Sequence, residues 1–163
     1  MADTGLHGIP FRPIVLLMKT LYVPSHLVYG VSVVYRQGSR FLLIKRKNPP
    51  FQHWFSFPGG RVNKGEDPCM AAKRELYEET GLTATRLVHF ATLDLGKETK
   101  QQKSYFLSVY HALDISGTAA AADDAISLHW LSLAEMEQVP VIPSVYAIAK
   151  QLEQTIDKKD LSR

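Results

Sequence analysis

From Leu27 onward, the pattern of apolar and polar residues becomes that of β-strands. It predicts strands over Leu27 to Tyr35 and Phe41 to Arg46, joined by a short turn at Gln37-Gly38-Ser39. A further short strand covers Trp54 to Phe57 and is stopped by Pro58-Gly59-Gly60. Arg86 to Leu95 and Ser104 to Leu113 flank the loop from Gly96 to Lys103, and Ile126 to Leu131 adds another strand.

Helical spacing replaces this pattern in three places. Asp67 is a good N-cap, Pro68 suits the first helical position, and Gly81 can turn left-handed after the last one. These signals bound a helix from Pro68 to Thr80. At about 100° per residue, Cys69, Ala72, Leu76 and Thr80 share the side that packs inward. Ser132 caps a short helix through Glu137. Val145, Ile148, Ala149, Leu152 and Ile156 recur at three- and four-residue intervals, giving an amphipathic closing helix. Strands flanked by two main helices predict an α/β (α+β) fold, an α/β/α sandwich around a mixed sheet.

Residues 1–26 read as an N-terminal extension rich in Gly and Pro, with an apolar centre from Ile14 to Tyr22. Three roles are open to it: partial disorder, an added edge strand, or a contact in a homodimer. The folded domain is expected over residues 27–158, with a short tail at 159–163. There is no internal repeat and no low-complexity segment.

The chain has 163 residues, the size of one domain with a genuine core. A formal charge of +3 is only mildly basic. Lys45, Arg46 and Lys47 cluster at a strand end, and Lys97, Lys100 and Lys103 mark a later loop. Either group can steer a phosphorylated ligand; solvated strand ends and loops are the plainer reading for any one lysine. Basic and aromatic residues are not interleaved in repeats, which argues against a nucleic-acid polymer as partner. Cys69 is the single cysteine, so intramolecular disulfides and cysteine metal sites are excluded, and it is expected as a small core residue. The apolar run Ile14 to Met18 is too short to cross a bilayer, Lys19 ends it, and no cleavage signature follows. A cytoplasmic protein without membrane attachment is expected.

Chemistry is concentrated on the first helix. Glu75, Glu78 and Glu79 stand at i, i+3 and i+4, close enough to repel one another. They centre about 125° from the apolar stripe, which predicts a position on the helix flank, neither buried nor turned fully to solvent. Keeping all three ionised requires a cation, and clustered hard oxygens suit Mg²⁺ or Mn²⁺ acting with substrate phosphates. Arg74 lies one turn before Glu78 and can pair with it. A merely solvated charged face is the alternative for glutamates taken alone.

The surroundings favour the first reading. Gly60, Glu66, Arg74, Glu75, Glu78, Glu79 and Gly81 follow the spacing G-x5-E-x7-R-E-U-x-E-E-x-G-U, with Leu76 and Leu82 in the aliphatic places. Seven fixed residues at roughly one in twenty each coincide by chance about once in 10⁹ trials. The segment resembles the signature of the Nudix hydrolase family, spanning residues 60–82. The resemblance implies hydrolysis of a diphosphate linkage in a nucleoside diphosphate joined to another group, with that small molecule as partner. It implies that Glu75, Glu78 and Glu79 bind the divalent metals and that Arg74 orients them. Gly60, grouped with the metal-site residues, would allow the tight turn that leads from a strand into the loop. Glu66 would support the metals or form a structural ion pair. Glu78 and Glu79 are the candidates for general base. Members often supply a further ligand or base from a loop ahead of a Trp-containing strand, which here singles out Asp124 of the Asp123-Asp124 pair before Trp130; a turn-forming pair is the alternative.

Substrate contacts are expected from Arg46, Phe51 and His53, with Trp54 as a packing residue and only one of Tyr105 and Phe106 facing the cleft. The run Asn48 to Asp67 also looks like GDP-mannose mannosyl hydrolases, but those have an altered signature, whereas this one is complete; attack at phosphorus is expected. Neither the downstream proline of many ADP-ribose pyrophosphatases nor the tyrosine of dinucleoside polyphosphate hydrolases is present, the window holding Glu98, Thr99 and Lys100. A nucleotide sugar such as ADP-ribose is expected ahead of a nucleoside triphosphate. A non-catalytic nucleotide-binding regulator is disfavoured by the intact carboxylates. An isopentenyl diphosphate isomerase is disfavoured because Cys69 lies on the helix rather than on a strand.

Overall fold

Strand β1 (Leu27–Gln37) turns through Gly38, at φ 57°, into β2 (Arg40–Arg46), but the two pair only next to the turn, at Arg36↔Phe41 and Gln37↔Arg40. Beyond that point they take different neighbours. β1 runs parallel to β6 (Ser104–Ser116) from Leu27↔Ser104 to Tyr35↔Ala112, and β6 pairs antiparallel with β5 (Thr83–Asp94). β2 is flanked by β3 (Phe55–Ser56) and β7 (Ala125–Leu131), both antiparallel. The short β4 (Gly59–Arg61) lies antiparallel on β1. The structure is a computed structural model and describes residues 27–96 and 104–160, with side chains to Ile156. Among the described residues the strands form one seven-stranded mixed sheet, ordered β3-β2-β1-β6-β5 with β4 on β1 and β7 on β2.

Alternation along the strands supplies a core on each face. Val31, Val33 and Leu42 pack with Ala71, Ala72 and Leu76 of α1 (Pro68–Thr80). Val34, Phe41 and Leu43 point the other way, onto Ile148, Ala149 and Leu152 of α3 (Pro143–Asp160). Opposite parity on the same strands therefore gives the expected α/β/α layering. A fully buried side chain such as Leu76 stabilises by about 2 kcal/mol through its transfer from water. Between β7 and α3, Ser132 and Glu135 form a capping box on α2 (Leu133–Met136), with Glu137 as the residue that ends it.

Several expectations are corrected. Pro58-Gly59-Gly60 does not simply end a strand, because Gly59–Arg61 is itself β4. A Cβ on Gly59 would overlap the Val31 carbonyl oxygen, so glycine is what allows this close pairing. β5 starts at Thr83 rather than Arg86, and β6 runs to Ser116 rather than Leu113. Register shifts between Ala84 and Leu87 break the alternation there, which is why the pattern did not reveal the strand ends. Trp54 is 37% exposed rather than core, and Cys69 is only partly buried. Helix α3 runs to Asp160. The extension at 1–26, Glu98, Thr99 and the lysines at 97, 100 and 103 lie outside the described residues.

Gly59→Ala is expected to destabilise the fold by about 3 kcal/mol, since the obstacle is backbone and cannot swing aside. Tyr77→Ala, at an exposed position on α1, is expected to change stability by no more than about 0.5 kcal/mol. Urea unfolding of both variants checks the contrast; equal effects would contradict it.

Candidate active site

Both ends of α1 are fixed locally. Asp67 accepts from Cys69 N–H at 2.9 Å and Met70 N–H at 3.1 Å, with Pro68 in the first turn. At the other end Gly81, at φ 70°, donates to the Tyr77 carbonyl at 2.8 Å. The segment after β6 then crosses this end: Ala120 N–H donates to Thr80 O at 2.9 Å and Ala122 N–H to Glu79 O at 3.1 Å. Last-turn carbonyls that would otherwise need water are thus satisfied by a strap, residues 117–124.

On the helix flank, Arg74 gathers the acids. Its Nε and Nη2 donate to the two oxygens of Glu66 at 2.8 and 2.9 Å, and Nη2 also reaches the Arg61 carbonyl at 2.9 Å. Its Nη1 donates to Glu75 at 2.7 Å and to Glu78 at 3.0 Å, the latter being the expected i, i+4 pair. Glu66 accepts further from Asn63 N–H at 2.9 Å, so both of its oxygens are engaged. This geometry is that of the structural ion pair, one of the two roles open to Glu66.

Glu79 departs from expectation. It is 3% exposed rather than on a half-open flank, and its Oε2 accepts from Gly59 N–H at 2.8 Å. The cause is β4, which the sequence pattern did not reveal and which closes over this side of the helix. Gly60 lies next to Glu75, where a Cβ would overlap the carboxylate.

These groups border a cavity of about 490 Å³. One side carries Gly59, Gly60, Glu75, Glu78 and Glu79, with Arg46, Arg61, Asp123 and Asp124 also on the rim. Val28, Leu95, Tyr105, Phe106 and Leu107 give an apolar region. Tyr105 and Phe106 both border it, although strand alternation predicted one; Phe106 stacks on Tyr29 at 5.7 Å. Phe51 and His53 are not brought to the cavity. They take left-handed conformations, φ 60° and 67°, in an exposed loop where Phe51 packs on Trp54 at 5.5 Å. From that loop it is Asn48, Pro49 and Pro50 that line the cavity. Nothing in a single asparagine signals that the Asn48 amide meets Asp124, 76 residues away, at 2.7 Å.

Burial pushes the Glu79 carboxyl up to about 8; Gly59 N–H and Arg46 oppose the rise, and Glu75 and Asp124 add to it. Burial also raises Glu75, opposed by Arg74 and assisted by Glu78 and Asp123. Glu66 goes the other way, held at about 2 chiefly by Arg74 and then by Asn63 N–H. Arg74 brings one positive charge to three carboxylates, and Glu79 has no ion pair among the described residues. Among those residues no three carboxylate, imidazole or thiol side chains are gathered closely enough to hold a metal ion by themselves. The donor set still fits a hard divalent cation: carboxylates with excess negative charge line an open cavity, where water and substrate oxygens can complete the shell.

Known proteins share the family and the fold of this chain. The family profile described as NUDIX domain matches residues 25–152. The chain is 32% identical over 120 residues to an ADP-ribose pyrophosphatase of Methanocaldococcus jannaschii, covering 71% of this chain and 68% of that protein. The fold superposes on a MutT NUDIX hydrolase from Burkholderia pseudomallei with a TM-score of 0.70 at 26% identity, covering 77% of this chain and 97% of that one. It also matches the NUDIX domain of Shewanella oneidensis NrtR, solved in complex with ADP ribose, with a TM-score of 0.67 at 19% identity over 83% of this chain and 94% of that one.

The shifted carboxyls make a prediction for the metal-free protein. Between the ordinary 4.5 and about 8, folded Glu79 keeps a proton that the unfolded chain has lost. Stability therefore falls as pH rises through that window, by on the order of 3 kcal/mol between pH 5 and 8, with Glu75 adding in the same sense. Below 4.5 the sign reverses, because the Glu66 pairing is lost as pH falls toward about 2. Urea unfolding in chelator is expected to show this slope, Glu79→Gln to flatten it, and Mg²⁺ to restore most stability at pH 8. A flat wild-type profile would contradict the assignment.

Proposed function

The chain belongs to the Nudix hydrolase family, whose chemistry is hydrolysis of phosphoric anhydrides, and from that premise we propose that it cleaves the diphosphate of a nucleoside diphosphate joined to another group. A nucleotide sugar such as ADP-ribose is the favoured substrate, giving a nucleoside monophosphate. The observation that carries this reading is a single cavity with Glu75, Glu78 and Glu79 on one side and the aromatic rings of Tyr105 and Phe106 on its border. Its volume suits a ligand of nucleotide size. The similarity to an ADP-ribose pyrophosphatase supports the choice of substrate.

Glu75, Glu78 and Glu79 are the residues that would hold Mg²⁺, with Mn²⁺ as a substitute and Gly60 leaving room beside Glu75. When bound, the cation supplies charge neutralisation on the diphosphate oxygens and lowers the pKa of a water. Arg74 keeps Glu75 and Glu78 aimed from the helix. Arg46, on the cavity rim, attracts the phosphates. Glu78, Glu79 and Asp124 are the carboxylates positioned to take the water proton. The water oxygen forms the new P–O bond, the bridging P–O bond breaks, and the bridging oxygen leaves with the second product. Tyr105 and Phe106 offer faces on which a nucleobase can stack.

We place this activity in the domain at residues 27–158, in the cytoplasm, on a small-molecule substrate rather than a nucleic-acid polymer. Among the described residues no helix is long and apolar enough to cross a membrane. A second reading, a nucleoside triphosphate pyrophosphohydrolase, is favoured by the likeness to a putative 8-oxo-dGTP diphosphatase of Bacillus subtilis, 34% identical over 102 residues.

A nucleotide panel with Mg²⁺ separates these readings, products being identified by mass. ADP-ribose is expected to yield AMP with kcat/KM at least about tenfold above any triphosphate. The reverse order would establish the second reading, and no turnover with any divalent metal would overturn both. Glu79→Gln is expected to lower kcat by about 10³ while leaving the thermal melt intact, because Gln resembles the protonated acid that burial favours.

A further inference from the structure

Two loops distant in sequence meet on the cavity rim. Lys47 N–H donates to the Asp124 carbonyl at 2.9 Å, and Asn48 Nδ2 donates to Asp124 Oδ1 at 2.7 Å. Each loop is braced independently. Gln52 Nε2 donates to Lys47 O at 3.0 Å, and Arg46 Nε to Pro50 O at 3.1 Å. On the other side Ala120 and Ala122 hold the strap to the end of α1, and Asp123 turns the chain at φ 51°.

The backbone bonds fix where Asp124 sits but leave its carboxylate free to rotate. Among the described residues, the Asn48 amide is the hydrogen-bond partner of that carboxylate. It engages one oxygen and leaves the second able to accept from the cavity, which both residues line. A neutral donor also suits this place. It orients the acid without cancelling a charge that the cavity uses, as an arginine would.

We propose that Asn48 is a positioning residue, whose amide holds the Asp124 carboxylate aimed into the cavity beside Glu79. It acts through Asp124 and not on the substrate directly. This rests on the hydrolase reading above, since it gives Asp124 a part in the same chemistry. Asparagine at 48 and aspartate at 124 thus form one functional unit assembled from two loops.

The test is a double-mutant cycle with Asn48→Ala, Asp124→Ala and the combined variant, with thermal melts confirming that each folds. Two readouts are taken: ADP-ribose hydrolysis with Mg²⁺, and Mn²⁺ affinity by calorimetry without substrate. Asn48→Ala is expected to lower kcat about tenfold with KM within about twofold of wild type. The combined variant is expected to fall no further than Asp124→Ala, because no carboxylate remains to be aimed. Asn48→Asp, similar in shape but lacking the donor, should match Asp124→Ala. Single effects that simply multiply in both readouts would overturn the proposal, as would wild-type behaviour of Asp124→Ala in both. If the wild-type protein turns over nothing, the hydrolase reading fails by itself. The Mn²⁺ cycle then decides: coupling supports the positioning role of Asn48, and independence overturns it.

Discussion

Arg74 stands where the loop that precedes α1 folds back across the helix, and its guanidinium binds both. Glu66 and the Arg61 carbonyl come from the loop, Glu75 and Glu78 from the helix. A planar fork of fixed N–H donors can meet all four at once, which a lysine ammonium on its flexible stem cannot do with comparable directionality. The group stays charged throughout the accessible pH range. It therefore offsets acid repulsion without consuming the negative charge that remains on the cavity side. Loop placement, helix rotation and carboxylate direction are thus tied to one side chain.

The sheet explains why the site lies where it does. β1 pairs with β2 only at the turn and with β6 along the rest, so the sheet opens between β1 and β2 and β4 enters against β1. Two glycines let β4 come that close. Gly59 presents its N–H to Glu79, and Gly60 gives space to the Glu75 carboxylate. The same backbone that completes the core on the α1 face also forms part of the acidic rim.

Legibility followed physical range. The limits of α1 could be read from Asp67, Pro68 and Gly81 because capping is local, and the layered fold could be read from alternation and helical period. The acidic trio and Arg74 were legible from spacing on one helix. The burial of Glu79 was not, since it depends on a three-residue strand whose glycines look like a turn. Phe51 and His53 have the local marks of cavity residues, being aromatic and just ahead of the glycines. Left-handed backbone at both positions keeps them in an exposed loop instead, and no local pattern announces that conformation. Asn48 and Asp124 meet only through tertiary structure, which a single sequence does not record.

The connector between β6 and β7 has a metered length. Its alanine amides are spent on the carbonyls of one helix, while its aspartates must arrive opposite another loop. Gly117 passes so close to Gly81 that a methyl group there would come within 2.9 Å of the Gly81 carbonyl oxygen, which leaves no slack for a detour. One inserted residue would slip every downstream donor out of phase with its acceptor. This plain-looking run of small residues works as a ruler, and its tolerance for insertion is far lower than its composition suggests.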